Sequence, residues 1–164
     1  MTKRVVVTGM GAVSPLGNDL PTTWAEIIAG HSGLGPITHF DTTGFKTTIA
    51  GEVKNYEATR YFAAKEARRM DLFTQYALIA AREAVQDAQI VFDDELKRRT
   101  AVIIGSGIGG IGTVTEQTML LSERGPSRVS PFLIPMILPE TAASMVAIEF
   151  GLKGPNMAVT SACA

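Results

Sequence analysis

Apolar runs separated by helical patterns predict a chain in which strands and helices alternate. Residues 5–8 (VVVT) are mostly β-branched and lack polar alternation, which indicates a strand buried on both faces of a sheet. Residues 100–105 (TAVIIG) have the same character, and residues 157–160 predict a short final strand. The sequence therefore predicts an α/β fold with a mostly parallel sheet.

Helical spacing, with start and stop signals, predicts four helices between these strands. Asp71 is a candidate N-cap, and the alanines that follow it favour close packing against a neighbour. Pro139 fits the first turn of another helix. The predicted helices cover residues 19–30, 71–88, 112–123 and 139–150.

Composition and charge then exclude several classes of function. A chain of 164 residues with 46% hydrophobic content supports one domain or part of one. The formal net charge of −1, from 15 basic and 16 acidic residues, gives no global field for nucleic acid or an anionic membrane. No apolar run approaches the roughly 20 residues of a spanning helix. We expect a cytoplasmic protein that binds neither nucleic acid nor membrane.

Cys163 is the only cysteine, which excludes an internal disulfide. With only His31 and His39 beside it, both in loop-like sequence, a four-ligand zinc site is not expected, and we predict no metal or other cofactor. A lone cysteine is commonly an inert core residue. A helix starting at Cys163 after the predicted strand would instead favour the thiolate and form a nucleophile elbow. Both interpretations fit the spacing.

The segment GSGIGG at residues 105–110 fits a G-x-G-x-x-G pattern directly after a predicted strand. Such a loop is typical of dinucleotide sites, but here no second strand ending in an acidic residue follows about twenty residues later. A glycine turn that lets backbone or a flexible acyl chain approach closely is the alternative.

Lys65, Arg68 and Arg69 form a local basic cluster. If residues 65–70 are helical, the three side chains share one face. A solvated helix face and a docking patch for an acidic partner are both compatible with this pattern.

Five segments in this order and spacing resemble the N-terminal half of the elongating beta-ketoacyl-acyl carrier protein synthases, most closely type II. They are VVVTGMGAVSPLGN, RRMDLFTQYAL, GSGIGG, GPSRVSPFLIP and GLKGPNMAVTSACA. The resemblance implies the thiolase-like fold, with five α/β/α/β/α layers in the whole enzyme, and a homodimer.

The resemblance also implies a reaction. Cys163 would accept an acyl group from acyl carrier protein, and malonyl carrier protein would be decarboxylated to attack that thioester, as in fatty acid elongation. Ile108 resembles the residue that gates the acyl pocket, and Leu133 and Ile134 resemble residues that line the partner subunit's pocket. The basic face for the carrier protein would comprise Lys65, Arg68, Arg69 and Arg128. Ser127 departs from the family pattern, in which a second basic residue is common there.

The family's two catalytic histidines and its lysine lie in the C-terminal half, and neither His31 nor His39 matches them. We interpret residues 1–164 as the N-terminal half, ending at the nucleophile elbow and inactive alone. A non-catalytic chain-length or scaffold partner of the same fold is the first alternative, and Cys163 argues against it. A nucleotide-binding oxidoreductase built on GSGIGG is the second alternative.

Overall fold

The computed structural model describes residues 3–161. In chain order the helices and strands are α1 (Leu20–Ile28), β1 (Gly35–Pro36), β2 (Ile49–Ala50), α2 (Ala64–Ala67), α3 (Leu72–Asp87), α4 (Asp94–Arg99), β3 (Val102–Gly105), α5 (Ile111–Arg124), α6 (Leu133–Ile137), α7 (Glu140–Phe150) and β4 (Asn156–Val159). Short 3₁₀ turns cover Ala58–Arg60 and Pro126–Arg128. The chain divides into two compact units, Met1–Glu57 with Ile79–Ile90, and Ala58–Leu78 with Val91–Ala164.

In the first unit, the end of α3 organises the segment that precedes α1. A Cβ added at Gly9 would lie 2.2 Å from the Ala84 carbonyl oxygen, and one added at Gly11 would lie 2.1 Å from that of Ala80. Both glycines therefore permit the close packing that the alanines predicted. The Glu83 carboxylate accepts hydrogen bonds at 2.8 Å from the amides of Ala12 and Leu20, which ties this segment and the start of α1 to α3.

The strand predicted for residues 5–8 is wrong. Val5, Val6 and Val7 are 96%, 65% and 79% exposed, and the segment pairs with no other strand among residues 3–161. β-branched composition favours a strand only where a neighbouring strand supplies hydrogen bonds and cover. The part of the chain that the structure describes supplies neither here.

In the second unit, β3 and β4 form a parallel pair, and α7 packs against both strands. Val102, Leu78, Ala142, Ala143 and Val146 are buried and form much of the core. The parallel pairing of the second and third predicted strands is confirmed. β3 is less buried than predicted, since Ile103 is 61% exposed.

The helix predictions are largely confirmed, because local sequence signals set the ends. The Asp19 carboxylate accepts from the Thr22 amide at 2.7 Å and caps α1. α5 ends before Gly125, which has φ +79°, and α7 ends before Gly151, which is left-handed. The helix considered for residues 65–70 is shorter, since α2 ends at Ala67. Within residues 3–161, no helix is long and apolar enough to cross a membrane.

Candidate functional site

The carboxyl ends of the two parallel strands meet at one edge of the second unit. β3 and β4 pair in register, with Gly105 opposite Val159. The Ser106 amide donates to the Val159 carbonyl at 3.0 Å, which extends the ladder by one residue. Residues 105–110, the glycine loop, therefore leave the sheet beside the end of β4. This edge is where ligand sites form in open α/β sheets.

The glycine loop lies against the end of α6, and its glycines make that approach possible. A Cβ added at Gly109 would lie 2.4 Å from the Ile137 carbonyl oxygen, and one at Gly110 would lie 2.3 Å from that of Met136. Gly109 also has φ +84°, a conformation that favours glycine. The Gly110 amide donates to the Ile137 carbonyl at 3.2 Å. The motif GSGIGG is thus a close-packing turn here.

A single carboxylate, that of Asp71, serves the N-termini of two helices. Its Oδ1 accepts from the Phe73 amide at 3.3 Å, in the first turn of α3. Its Oδ2 accepts from the Thr113 amide at 3.2 Å and from the Thr113 hydroxyl at 2.6 Å, in the first turn of α5. Gly110, the N-cap residue of α5, has no side chain to do this. Negative charge at a helix N-terminus is favourable, so Asp71 stabilises both helices.

The Asp71 carboxylate affects one further group in the second unit. Burial raises the pKa of the Tyr76 phenol above its usual value, and the negative charge of Asp71 raises it further. Both effects favour the neutral phenol over the phenolate.

The structure brings together the elements that carry the predicted acyl-pocket residues. Ile108 lies in the glycine loop, and Leu133 and Ile134 lie in α6, against which that loop packs. Leu133 is half-buried, while Ile108 and Ile134 are 65% and 58% exposed. Such apolar exposure is available for contact with a ligand or with another protein surface.

The predicted basic face is partly brought together. Lys65 and Arg69 line one pocket of about 540 Å³. The guanidinium carbon of Arg69 lies 4.4 Å from the centroid of the Phe132 ring, which forms a cation–π contact. Arg68 is exposed just after α2 but does not line this pocket, and Arg128 is exposed in a 3₁₀ turn.

The predicted nucleophile, Cys163, lies outside the described residues. β4 ends at Val159, four positions before it. The two histidines are exposed in the first unit, as the sequence predicted. His31 is hydrogen-bonded to Glu26, and His39 lies 3.9 Å from Glu52.

Comparison with known proteins identifies the family. Residues 2–164 match the family model described as the N-terminal domain of beta-ketoacyl synthase. This chain belongs to the beta-ketoacyl synthase family. It is 51% identical over 99% of its length to 3-oxoacyl-acyl-carrier-protein synthase 2 of Staphylococcus aureus (strain N315), and 44% identical over 99% to the protein of that name from Synechocystis.

A solved ketosynthase supports the same fold. The ishigamide ketosynthase/chain length factor matches with a TM-score of 0.83 at 34% identity, covering 97% of this chain and 40% of that one. The predicted fold class, the N-terminal half of the thiolase-like α/β fold, is confirmed. This chain spans about 39% of the length of both curated beta-ketoacyl synthase relatives.

Family membership and geometry agree on the glycine loop of this beta-ketoacyl synthase chain. In a dinucleotide site the phosphates lie at the helix N-terminus that follows the glycine motif. Here the Asp71 carboxylate already accepts from the Thr113 amide at that position. A bound phosphate would meet a negative charge, which counts against the oxidoreductase alternative.

Sequence reasoning missed two contributors to this region. Asp71 was predicted as a cap of its own helix, but its contact with Thr113, 42 residues away, gave no local signal. Phe132 lies in an apolar run, PFLIP, whose pattern indicates core packing. Nothing in the spacing predicts that the Arg69 guanidinium covers its ring.

Proposed function

We propose that this chain is part of a 3-oxoacyl-acyl-carrier-protein synthase of fatty acid elongation, with Cys163 as the acylated nucleophile. The observation that carries the proposal is the 51% identity over 99% of the chain to a relative of that name. The cytoplasmic setting expected from the sequence belongs to the same proposal.

In the proposed reaction, the Cys163 thiolate attacks the thioester of acyl carrier protein and displaces the carrier thiol. Malonyl carrier protein then loses CO₂, and the electron pair left on its α-carbon attacks the carbonyl of the cysteine thioester. The bond between the carbonyl carbon and Sγ breaks, which releases 3-oxoacyl carrier protein and restores the thiolate. We assign the Cys163 backbone N–H to stabilising the oxyanion that forms in each acyl transfer.

The strand register supports placing the acyl pocket beside Cys163. The chain that leads from Val159 to Cys163 leaves the sheet at the same edge as the glycine loop, because Gly105 lies opposite Val159. Ile108, within that loop, is the proposed gate. Its 65% exposure leaves the side chain accessible to an entering acyl chain.

We further propose a homodimer in which Leu133 and Ile134 line the partner subunit's pocket. The exposure of Ile134, at 58%, supports a second surface there. Within residues 3–161, β4 pairs only with β3, so its other edge is available for pairing. Light scattering of the protein expressed from its complete gene would give twice the subunit mass. A monomer at micromolar concentration would contradict this part of the proposal.

The proposed partner is the carrier protein named in the relatives' titles. Lys65, Arg68, Arg69 and Arg128 would attract the carboxylates of an acidic protein, in an interaction that weakens as salt rises.

Intact-mass measurement tests the proposed chemistry directly. The protein from its complete gene is incubated with an acyl carrier protein thioester, beside a Cys163→Ala control. We expect one acyl group on the unaltered protein and none on the control. Absence of the adduct, or an equal adduct on the control, would overturn the assignment. It would favour a non-catalytic chain-length partner, a role that the solved relative's title also names.

A further inference from the structure

The pocket of about 540 Å³ in the second unit combines an apolar lining with charge at its rim. Four of its apolar lining residues are Met70, Phe132, Pro135 and Met145, and the cations of Lys65 and Arg69 border them. Glu66 is the acidic residue of the lining. The pocket therefore offers apolar contact next to an excess of positive charge, which suits an apolar side chain flanked by carboxylates.

The Arg69 side chain is held in place by an aromatic ring. Its guanidinium carbon lies 4.4 Å from the Phe132 ring centroid, within the range of a cation–π contact. A guanidinium stacked on a ring keeps N–H groups in its own plane that can bind a carboxylate. The stack limits the conformations of a long side chain before a partner arrives, and less entropy is then lost on binding.

The backbone that carries the ring is itself fixed. The Phe132 amide donates to the Ser130 hydroxyl at 3.1 Å, and the Ser130 amide donates to the Gln117 side chain of α5 at 2.7 Å. The Phe132 carbonyl accepts from the Met136 amide at 3.0 Å in α6. The ring is thus anchored to α5 and α6, whereas Arg69 follows the short helix α2.

We propose that Phe132 is a positioning residue of the docking surface, holding Arg69 so that a carboxylate of the carrier protein pairs with it while a neighbouring apolar side chain enters the pocket. This inference rests on the proposed function and adds to it. The partner is recognised by a carboxylate beside an apolar group, and Phe132 acts on its affinity through Arg69.

The experiment measures the dissociation constant for acyl carrier protein by fluorescence anisotropy, for the unaltered protein, Phe132→Leu and Phe132→Tyr. Loss of an exposed cation–π contact corresponds to an affinity decrease of about 2- to 5-fold for Phe132→Leu. Phe132→Tyr keeps the ring and should restore the affinity. Phe40→Leu, at an exposed phenylalanine of the first unit, is the matched control and should not change it.

Two further measurements separate positioning from general structural damage. In an Arg69→Gln background, Phe132→Leu should cause no additional loss of affinity, because the contact is already absent. The ratio of kcat/KM for acyl carrier protein to that for a small acyl-pantetheine thioester should fall in Phe132→Leu. If Phe132→Leu does not fold, Arg69→Lys tests the same contact, since it keeps the charge but lacks the planar guanidinium.

An unchanged dissociation constant in Phe132→Leu overturns the inference. A change in acyl-length preference without a change in carrier affinity also overturns it, because Phe132 would then belong to the acyl pocket. Failure of the unaltered protein to form an acyl adduct on Cys163 is a different result, and it overturns the proposed function itself.

Discussion

The glycine loop and the basic surface lie in the same compact unit, but different forces set their conformations. In the glycine loop, backbone atoms touch, and a Cβ at Gly110 would lie 2.3 Å from the Met136 carbonyl oxygen. On the basic surface, long exposed side chains such as Lys65 and Arg69 are positioned by charge and by one aromatic ring. Substitutions in the loop should therefore affect stability, and substitutions on the surface should affect binding.

The largest effect is expected from Gly109→Ala. The added Cβ would meet the Ile137 carbonyl oxygen at 2.4 Å, and the positive φ disfavours any side chain. Overpacking and backbone strain together should reduce the free energy of unfolding by about 3 kcal/mol. Gly107→Ala is the matched control, because its Cβ would meet nothing within 4 Å. Equal urea midpoints for the two variants would contradict the close packing of the loop.

Asp71→Ala should have the next largest effect, because it removes a carboxylate from two helix N-termini at once. We expect a loss of about 2 kcal/mol in the free energy of unfolding, twice the typical value for one cap. Asp93→Ala is the comparison, since Asp93 accepts one capping hydrogen bond, from Leu96 at 2.7 Å, and should cost about 1 kcal/mol. If chemical denaturation gives Asp71→Ala the smaller loss, the double cap contributes little.

Reversing charge on the basic surface should change binding and leave stability almost unaffected. Lys65→Glu with Arg69→Glu should weaken acyl carrier protein binding about tenfold at low salt, and the loss should shrink as salt rises. Arg98→Glu, an equal charge change at an exposed position of α4, is the control. An equal loss of affinity in Arg98→Glu would show that overall charge, and not this surface, controls docking.

The smallest effect concerns Tyr76, which connects the two regions through Asp71. Asp71→Asn should lower the pKa of the Tyr76 phenol, yet leave it above 10.0 because burial is the larger cause. A raised folded pKa stabilises the protein below the unfolded value, and that contribution is lost as pH rises through the folded pKa. Ultraviolet titration of the phenolate checks the shift. An unchanged pKa in Asp71→Asn would remove Asp71 as a cause.

The sequence predicted the elements whose signals are local. Asp19 caps α1, Gly151 ends α7, and the alanines of α3 pack closely where glycines face them. Each of these outcomes depends on residues within a few positions or on a repeated pattern. The helices and the parallel strand pair were therefore accessible without coordinates.

Features that depend on distant residues were not accessible. The strand expected at residues 5–8 requires a neighbour that composition cannot specify. The role of GSGIGG stayed open because the group at the α5 N-terminus, Asp71, lies far upstream. The Arg69 contact with Phe132 joins positions that no sequence period relates. The family resemblance supplied the predicted site residues, and geometry then related Ile108 to α6.

The cap that Asp71 provides has a consequence for the order of folding. α3 can be capped by its own preceding residue, so its first turn needs only local contacts. The first turn of α5 must wait for a carboxylate 42 residues earlier in the chain. Closing that loop costs entropy before the hydrogen bonds form. We therefore expect the glycine loop to become ordered after α3 in refolding, so the gate of the proposed pocket would be among the later parts of this unit to form.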